Sequence, residues 1–170
     1  MGTLFIVSTP IGNLKDITLR GIETLGKVEY IACEDTRIAS KLLRSLAIKN
    51  DKFLISYFEH NEDKRIPNIL NLLQNGKDVV LISDAGTPGI SDPGFRVVRE
   101  ALKAGIKVEA IPGPSAILAA LVSSGLPTDK FLFLGFLPLK ESNKRRLLEN
   151  VKKGLELVES TVIFYESPYK

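Results

Sequence analysis

The sequence predicts an α/β fold, a mostly parallel sheet with helices on both faces, and two observations carry that expectation. Short apolar runs rich in Val, Ile and Phe alternate with amphipathic segments of helical period. Glycines stand where such segments should stop, at Gly76 and Gly105. Strands are expected at 3–8, 28–33, 53–56, 78–83 and 106–111. Ile66, Ile69, Leu70 and Leu73 recur at helical spacing after the candidate N-cap Asn61. Phe95, Val98 and Leu102 repeat the pattern after Pro93, and Ile38, Leu42 and Leu43 mark the inner face of another helix. The segment 116–122 is small and apolar nearly all round, so a buried helix is expected there at the start of a second domain. Strands at 131–135 and 161–166 should enclose a charged helix with Leu147, Leu148 and Val151 on one face. The expected division is an N-terminal α/β domain over 1–113 and the start of a C-terminal α/β domain over 114–170.

The chain has 170 residues, 44% hydrophobic and 25% charged, as ordinary globular domains do. Its most apolar stretches, 79–82 and 116–122, fall far short of the roughly 20 residues of a membrane span. The first eight residues carry no basic lead and no cleavage site, and read as a first strand. With Cys33 the only cysteine and His60 the only histidine, an internal disulfide and a Cys/His zinc site are excluded, and no metal is expected. A cytoplasmic location follows as the expectation. The net charge of +3 tolerates a polyanionic partner.

Ligands of open α/β sheets bind beyond the carboxyl ends of the strands, so the loops after each strand matter most. The first, Thr9-Pro10-Ile11-Gly12-Asn13-Leu14, lacks the glycine fingerprint of dinucleotide enzymes, and by itself reads as a Pro-Gly turn. The loop Ser83 to Gly94 is long and shaped by Gly86, Gly89, Pro88 and Pro93, and gives little to a core. In it Asp84 can accept hydrogen bonds from a ribose or an amino group, while Asp92-Pro93 starts the next helix. Ile111-Pro112-Gly113-Pro114-Ser115-Ala116 offers a helix start and a hydroxyl that suit a carboxylate, and equally reads as a hinge. Glu34-Asp35-Thr36-Arg37 is either a substrate or base site or a helix cap. His60 either lines a site or faces solvent, and Cys33 packs. Lys140, Lys144, Arg145 and Arg146, with Arg37, Lys41, Arg44, Lys49 and Lys52, suit RNA phosphates or simply a solvated face.

In order, TLFIVSTPIGNLKDIT, EDTR, SDAGTPGISDPG, IPGPSA, FLGFLPLK and FYESPYK resemble the bacterial 16S ribosomal RNA 2'-O-methyltransferases of the tetrapyrrole-methylase superfamily from end to end. The resemblance implies S-adenosylmethionine in a cleft between two α/β domains. It places Pro10, Ile11, Asp84, Ala85, Gly86, Thr87, Pro88, Ile90, Pro112, Gly113, Pro114, Ser115 and Ala116 around the cofactor. It also implies methylation of a cytidine ribose in 16S rRNA of the small ribosomal subunit, and a homodimer. Members of that family continue for roughly another small domain's length, so an incomplete second domain and weak cofactor binding are expected.

Methyl transfer from a sulfonium needs orientation and an acceptor for the hydroxyl proton, but no metal. Glu34 and Asp35 are the candidate catalytic residues, with Asp84 a third carboxylate to test. Two other readings stay open. RNA dependence separates a superfamily methyltransferase acting on a small molecule or protein. Salt-sensitive RNA binding without a cofactor effect would mark a noncatalytic RNA-binding fragment.

Overall fold

The computed structural model describes residues 1–49 and 51–167; the Pro168-Tyr169-Lys170 end of the FYESPYK segment lies outside them. Five of the apolar runs form strands: β1 (Thr3–Val7), β2 (Tyr30–Cys33), β3 (Phe53–Ser56), β4 (Val79–Ile82) and β5 (Lys107–Ile111). They make one parallel sheet in the order β3-β2-β4-β1-β5. Every β4 side chain is buried, as suits a strand covered on both faces.

Alternation along β4 sends its side chains to two cores. Val79 and Leu81 join Leu4, Ala32, Ile66, Ile69, Leu73, Val97 and Ala101, under α3 (Glu62–Gln74) and α4 (Phe95–Lys103). Val80 and Ile82 join Val7, Ile31, Leu25, Ala39 and Leu43, under α1 (Leu19–Lys27) and α2 (Thr36–Ser45). The neighbouring strands β1 and β4 are thus followed by helices on opposite faces. That is a topological switch point, and it opens a crevice at their carboxyl ends.

The chain divides into two compact units, Met1–Ser115 and Ala116–Lys170. The second carries α5 (Ala116–Ser123), β6 (Phe131–Phe136), α6 (Glu141–Leu157) and β7 (Thr161–Tyr165), with β6 and β7 paired in parallel across the α6 crossover. Tyr165 meets Phe133 and Phe136 edge-on at 4.8 and 5.5 Å. No helix among the described residues is long and apolar enough to cross a membrane.

Several helical faces differ from the sequence expectation. On α2 the core takes Ala39 and Leu43, while Ile38 is exposed. On α4 it takes Val97 and Ala101, and Phe95 and Leu102 face outward. In both, a small alanine beside the sheet permits close approach, which a pattern of large residues alone does not reveal. Helix α1 was not anticipated; its signal is Thr18, whose hydroxyl accepts from the Gly21 N–H at 3.0 Å. Asn61 precedes α3 but does not cap it with its side chain, which instead accepts from the Phe58 N–H and donates to the Ser56 carbonyl. Helix α5 buries only Ile117 and Leu121 and leaves Leu118 and Val122 exposed, so it is not buried all round; α6 lies between β6 and β7 as expected, with Leu147 and Val151 half-buried and Leu148 exposed.

The first unit also holds a buried polar pair. Tyr57 is fully buried and donates at 2.5 Å to Glu62 Oε1, while Arg96 lies 3.5 Å from the other Glu62 oxygen. Burial, then the hydrogen bond to Glu62, raises the Tyr57 pKa, so the phenol stays a donor. Tyr57→Phe leaves a buried carboxylate oxygen without its donor. The expected outcome in urea unfolding is a loss of about 1–3 kcal/mol.

Candidate functional site

Three of the loops beyond the carboxyl ends are stitched together by side chains and backbone from β1, β4 and β5. Thr9 and Gly86 form an isolated antiparallel bridge, N–H to carbonyl at 2.9 and 3.0 Å in the two directions. The Thr9 hydroxyl donates to the Ser83 carbonyl at 3.1 Å. The Thr87 hydroxyl donates to the Pro114 carbonyl at 3.1 Å, which leaves the Ser8 hydroxyl to donate to Thr87 across 2.9 Å. At Gly113 a Cβ would stand 2.9 Å from the Ser8 Cβ, so only glycine lets the β5 loop lie this close to the β1 loop.

The expected cofactor residues of the first unit therefore come together. Thr87 and Pro10 are half-buried, and Gly86 and Pro88 are buried and hold the loop's shape. Ile11, Asp84, Ala85, Ile90, Pro112 and Gly113 are exposed at the rim. Pro114 and Ser115 end this unit and Ala116 opens α5. Ser8 and Thr9, both buried, were not singled out from sequence; the available signal was a hydroxyl pair directly after a buried strand.

The loop after β2 joins the same edge through Asp84, whose Oδ1 accepts the Asp35 N–H at 3.2 Å. Here the two neighbouring carboxylates separate. Asp35 caps α2, accepting from the Arg37 N–H at 2.8 Å, and pairs with the Arg37 guanidinium at 2.6 Å. That side-chain pairing, then the backbone hydrogen bond, lowers its pKa to about 2. Glu34 has one carboxylate oxygen, Oε1, buried without a hydrogen-bond partner among the described residues. Burial first, then the charges of Asp92 and Asp84, push its pKa up to about 7. Asp84 and Asp92 are themselves raised, chiefly by burial. Cys33, packed at the end of β2, is pushed up to about 12, mainly by burial, and stays a thiol. No group of three or more His, Cys, Asp or Glu side chains placed to hold a metal ion occurs among the described residues.

Other sequence candidates lie elsewhere. His60 is exposed in the 3-10 turn Glu59–Asn61. Lys52 is buried at its head and donates to the Gly26 carbonyl at 2.6 Å, so it does not face a phosphate. Lys144, Arg145 and Arg146 lie on α6 in the second unit, just after Lys140 at its N-cap.

The sequence from Thr3 to Lys170 matches the family model of the tetrapyrrole (corrin/porphyrin) methylases. The chain belongs to that family. Among relatives, a ribosomal RNA small subunit methyltransferase I from Mesorhizobium japonicum is 52% identical over 165 residues, covering 97% of this chain and 54% of the relative. One of the same name from Thermotoga maritima is 50% identical, covering 99% and 72%. The methylase chain thus spans from about half to seven-tenths of the length of these curated relatives. Solved structures described as diphthine synthase and the methyltransferase CobJ match 98% and 97% of it, with TM-scores of 0.71 and 0.69 at 17% and 20% identity. At that identity the likeness shows the tetrapyrrole-methylase fold.

Proposed function

We propose that this chain is the cofactor-binding part of an S-adenosylmethionine-dependent methyltransferase that methylates the ribose 2'-hydroxyl of a cytidine in 16S rRNA. The family and the names of its relatives support the class of reaction and substrate. The observation that carries the reading is the convergence of the stitched β1, β4 and β5 loops on an edge where a buried carboxylate oxygen has no partner. A cytoplasmic site of action and a homodimer belong to the same proposal.

In this reading Pro10, Ile11, Asp84 to Pro88, Ile90 and Pro112 to Ala116 hold the cofactor, whose contribution is a methyl carbon activated by the attached sulfonium. The residues fit such a group. The rim exposes the Asp84 carboxylate as an acceptor, and Gly113 keeps the backbone free of side chains. The Ser8–Thr87–Pro114 chain holds the three loops in one arrangement, so little orientation entropy is lost on binding. Glu34 would take the proton from the attacking hydroxyl, ending as a neutral acid, while the new oxygen–methyl bond would be balanced by loss of the methyl–sulfur bond, which leaves the donor as a neutral thioether. Asp35 is engaged by Arg37 and the α2 N-terminus, and serves to position Glu34's loop.

The test is calorimetric titration with S-adenosylmethionine, followed by transfer of labelled methyl to undermethylated 30S subunits. One-site binding is expected. Asp84→Ala is expected to weaken it, and Thr87→Val is expected to do so by about fivefold, having lost a link worth about 1 kcal/mol. Absence of saturable heat in the wild-type chain, or labelling that does not depend on RNA, would sink the reading.

A further inference from the structure

Helix α2 carries a second face that its core packing does not use. Ile38, Lys41, Leu42 and Ser45 sit at i, i+3, i+4 and i+7, one stripe of the helix, while Ala39 and Leu43 face the sheet. The stripe forms one wall of a cavity of about 310 Å³, whose other walls are Thr9, Pro10, Gly12, Leu14 and Asp84. Ile38 and Leu14 remain 43% and 49% exposed there, so apolar surface is left open beside a switch-point crevice. The Lys41 ammonium makes no ion pair or hydrogen bond among the described residues, while its carbonyl accepts from the Ser45 hydroxyl at 2.9 Å, and exposed Arg44 lies three residues further along α2.

We propose that this cavity receives the acceptor nucleotide of the RNA, unstacked from its strand, with Lys41 and Arg44 meeting the flanking phosphates. The inference rests on the methyltransferase reading above and extends it. Apolar walls suit the faces of a splayed-out base, and cations at the mouth suit a phosphodiester backbone. The volume lies at the small end of the range for ligand sites, about 300–1,000 Å³. It is matched to one nucleoside-sized group rather than to a nucleoside joined to an amino acid, as the cofactor is. Pro10 and Asp84 belong both to the cavity and to the proposed cofactor loops, so an occupant would abut the methyl donor, as a direct displacement requires.

Binding of a fluorescein-labelled, cytidine-containing single-stranded oligoribonucleotide tests this without relying on transfer. Ser45→Phe puts a ring into the cavity from an exposed helix end, and Lys41→Ala removes the cation without touching the core. Ser45→Phe is expected to weaken RNA binding by about tenfold or more while S-adenosylmethionine affinity changes by less than about twofold. Lys41→Ala should lower the slope of log affinity on log salt by about 1. The proposal is overturned if the wild-type chain binds no RNA, if Ser45→Phe leaves RNA binding unchanged, or if it blocks the cofactor instead. Loss of cofactor binding by the wild-type chain with RNA binding and its Ser45 dependence intact would defeat the methyltransferase reading and overturn the acceptor role with it, leaving the cavity as an RNA contact only.

Discussion

Replacing Glu34 with glutamine is expected to lower methyl transfer to 30S subunits by about a hundred- to ten-thousandfold, the range for loss of a proton acceptor. Cofactor binding should persist, because the loops proposed to carry it are joined through Ser8, Thr9, Thr87 and Gly86 rather than through Glu34. The pH dependence gives a second readout. A Glu34 with a pKa of about 7 must be ionised to accept a proton, so the wild-type rate should rise with pH through about 7 and then level off. The residual rate of Glu34→Gln should lack that inflection, whereas Asp35→Asn should keep it.

The same group gives a signed expectation for stability. Its folded pKa stands above the ordinary glutamate value of 4.5, so between about 4.5 and 7 the folded state holds the extra proton. The contribution to stability is therefore present at low pH and falls as pH rises through about 7. The shift corresponds to about 3 kcal/mol at face value, and screening at a half-exposed carboxylate reduces it to about 1 kcal/mol. Glu34→Gln is expected to be at least as stable as wild type at pH 8, measured by urea unfolding. A marked loss of stability there would show that Glu34 is a structural anchor, and would remove the argument for it as the base.

Gly94→Ala should produce a large loss of stability in the first unit. Gly94 ends the β4 loop and precedes α4 at φ 151°, a backbone conformation that L side chains rarely adopt. An added Cβ would stand 3.1 Å from the Gly89 nitrogen, 3.2 Å from its Cα and 3.2 Å from the buried Leu81 Cδ2. Two of these neighbours are backbone, so the loop must open or α4 must shift. Strain and clash together are expected to cost about 2–4 kcal/mol. That lowers the melting temperature of this unit by about 10 °C. A change below about 2 °C would mean that the loop reshapes freely, and with it the shared geometry of Asp84 and Asp92.

The strands were legible because each is a short apolar run between turn residues. β3 falls on the expected 53–56, and the other strand bounds differ by no more than two residues. The glycine stops after α3 and α4 were legible for the same local reason: Gly76 and Gly105 both take positive φ after the last turn. The helical faces were less legible. Ile38 looked like core because it is large and apolar at helical spacing, yet the sheet takes Ala39, and Ile38 is left to the cavity beside Asp84.

The sequence by itself determined the parallel α/β class, the loops that meet the crevice and, through their resemblance, the family. Those features depend on local periodicity and on long, unusual segments. Only the tertiary structure decided how the surroundings of the neighbours Glu34 and Asp35 differ. One chain direction puts Asp35 on its own helix end and beside its own Arg37, whereas the Glu34 carboxylate is set by burial and by Asp84 and Asp92, residues about fifty and sixty positions away. Adjacent acids of the same type in a sequence carry no information about which will lose its water and which will find a cation. That difference arises only when the sheet brings distant loops to one edge.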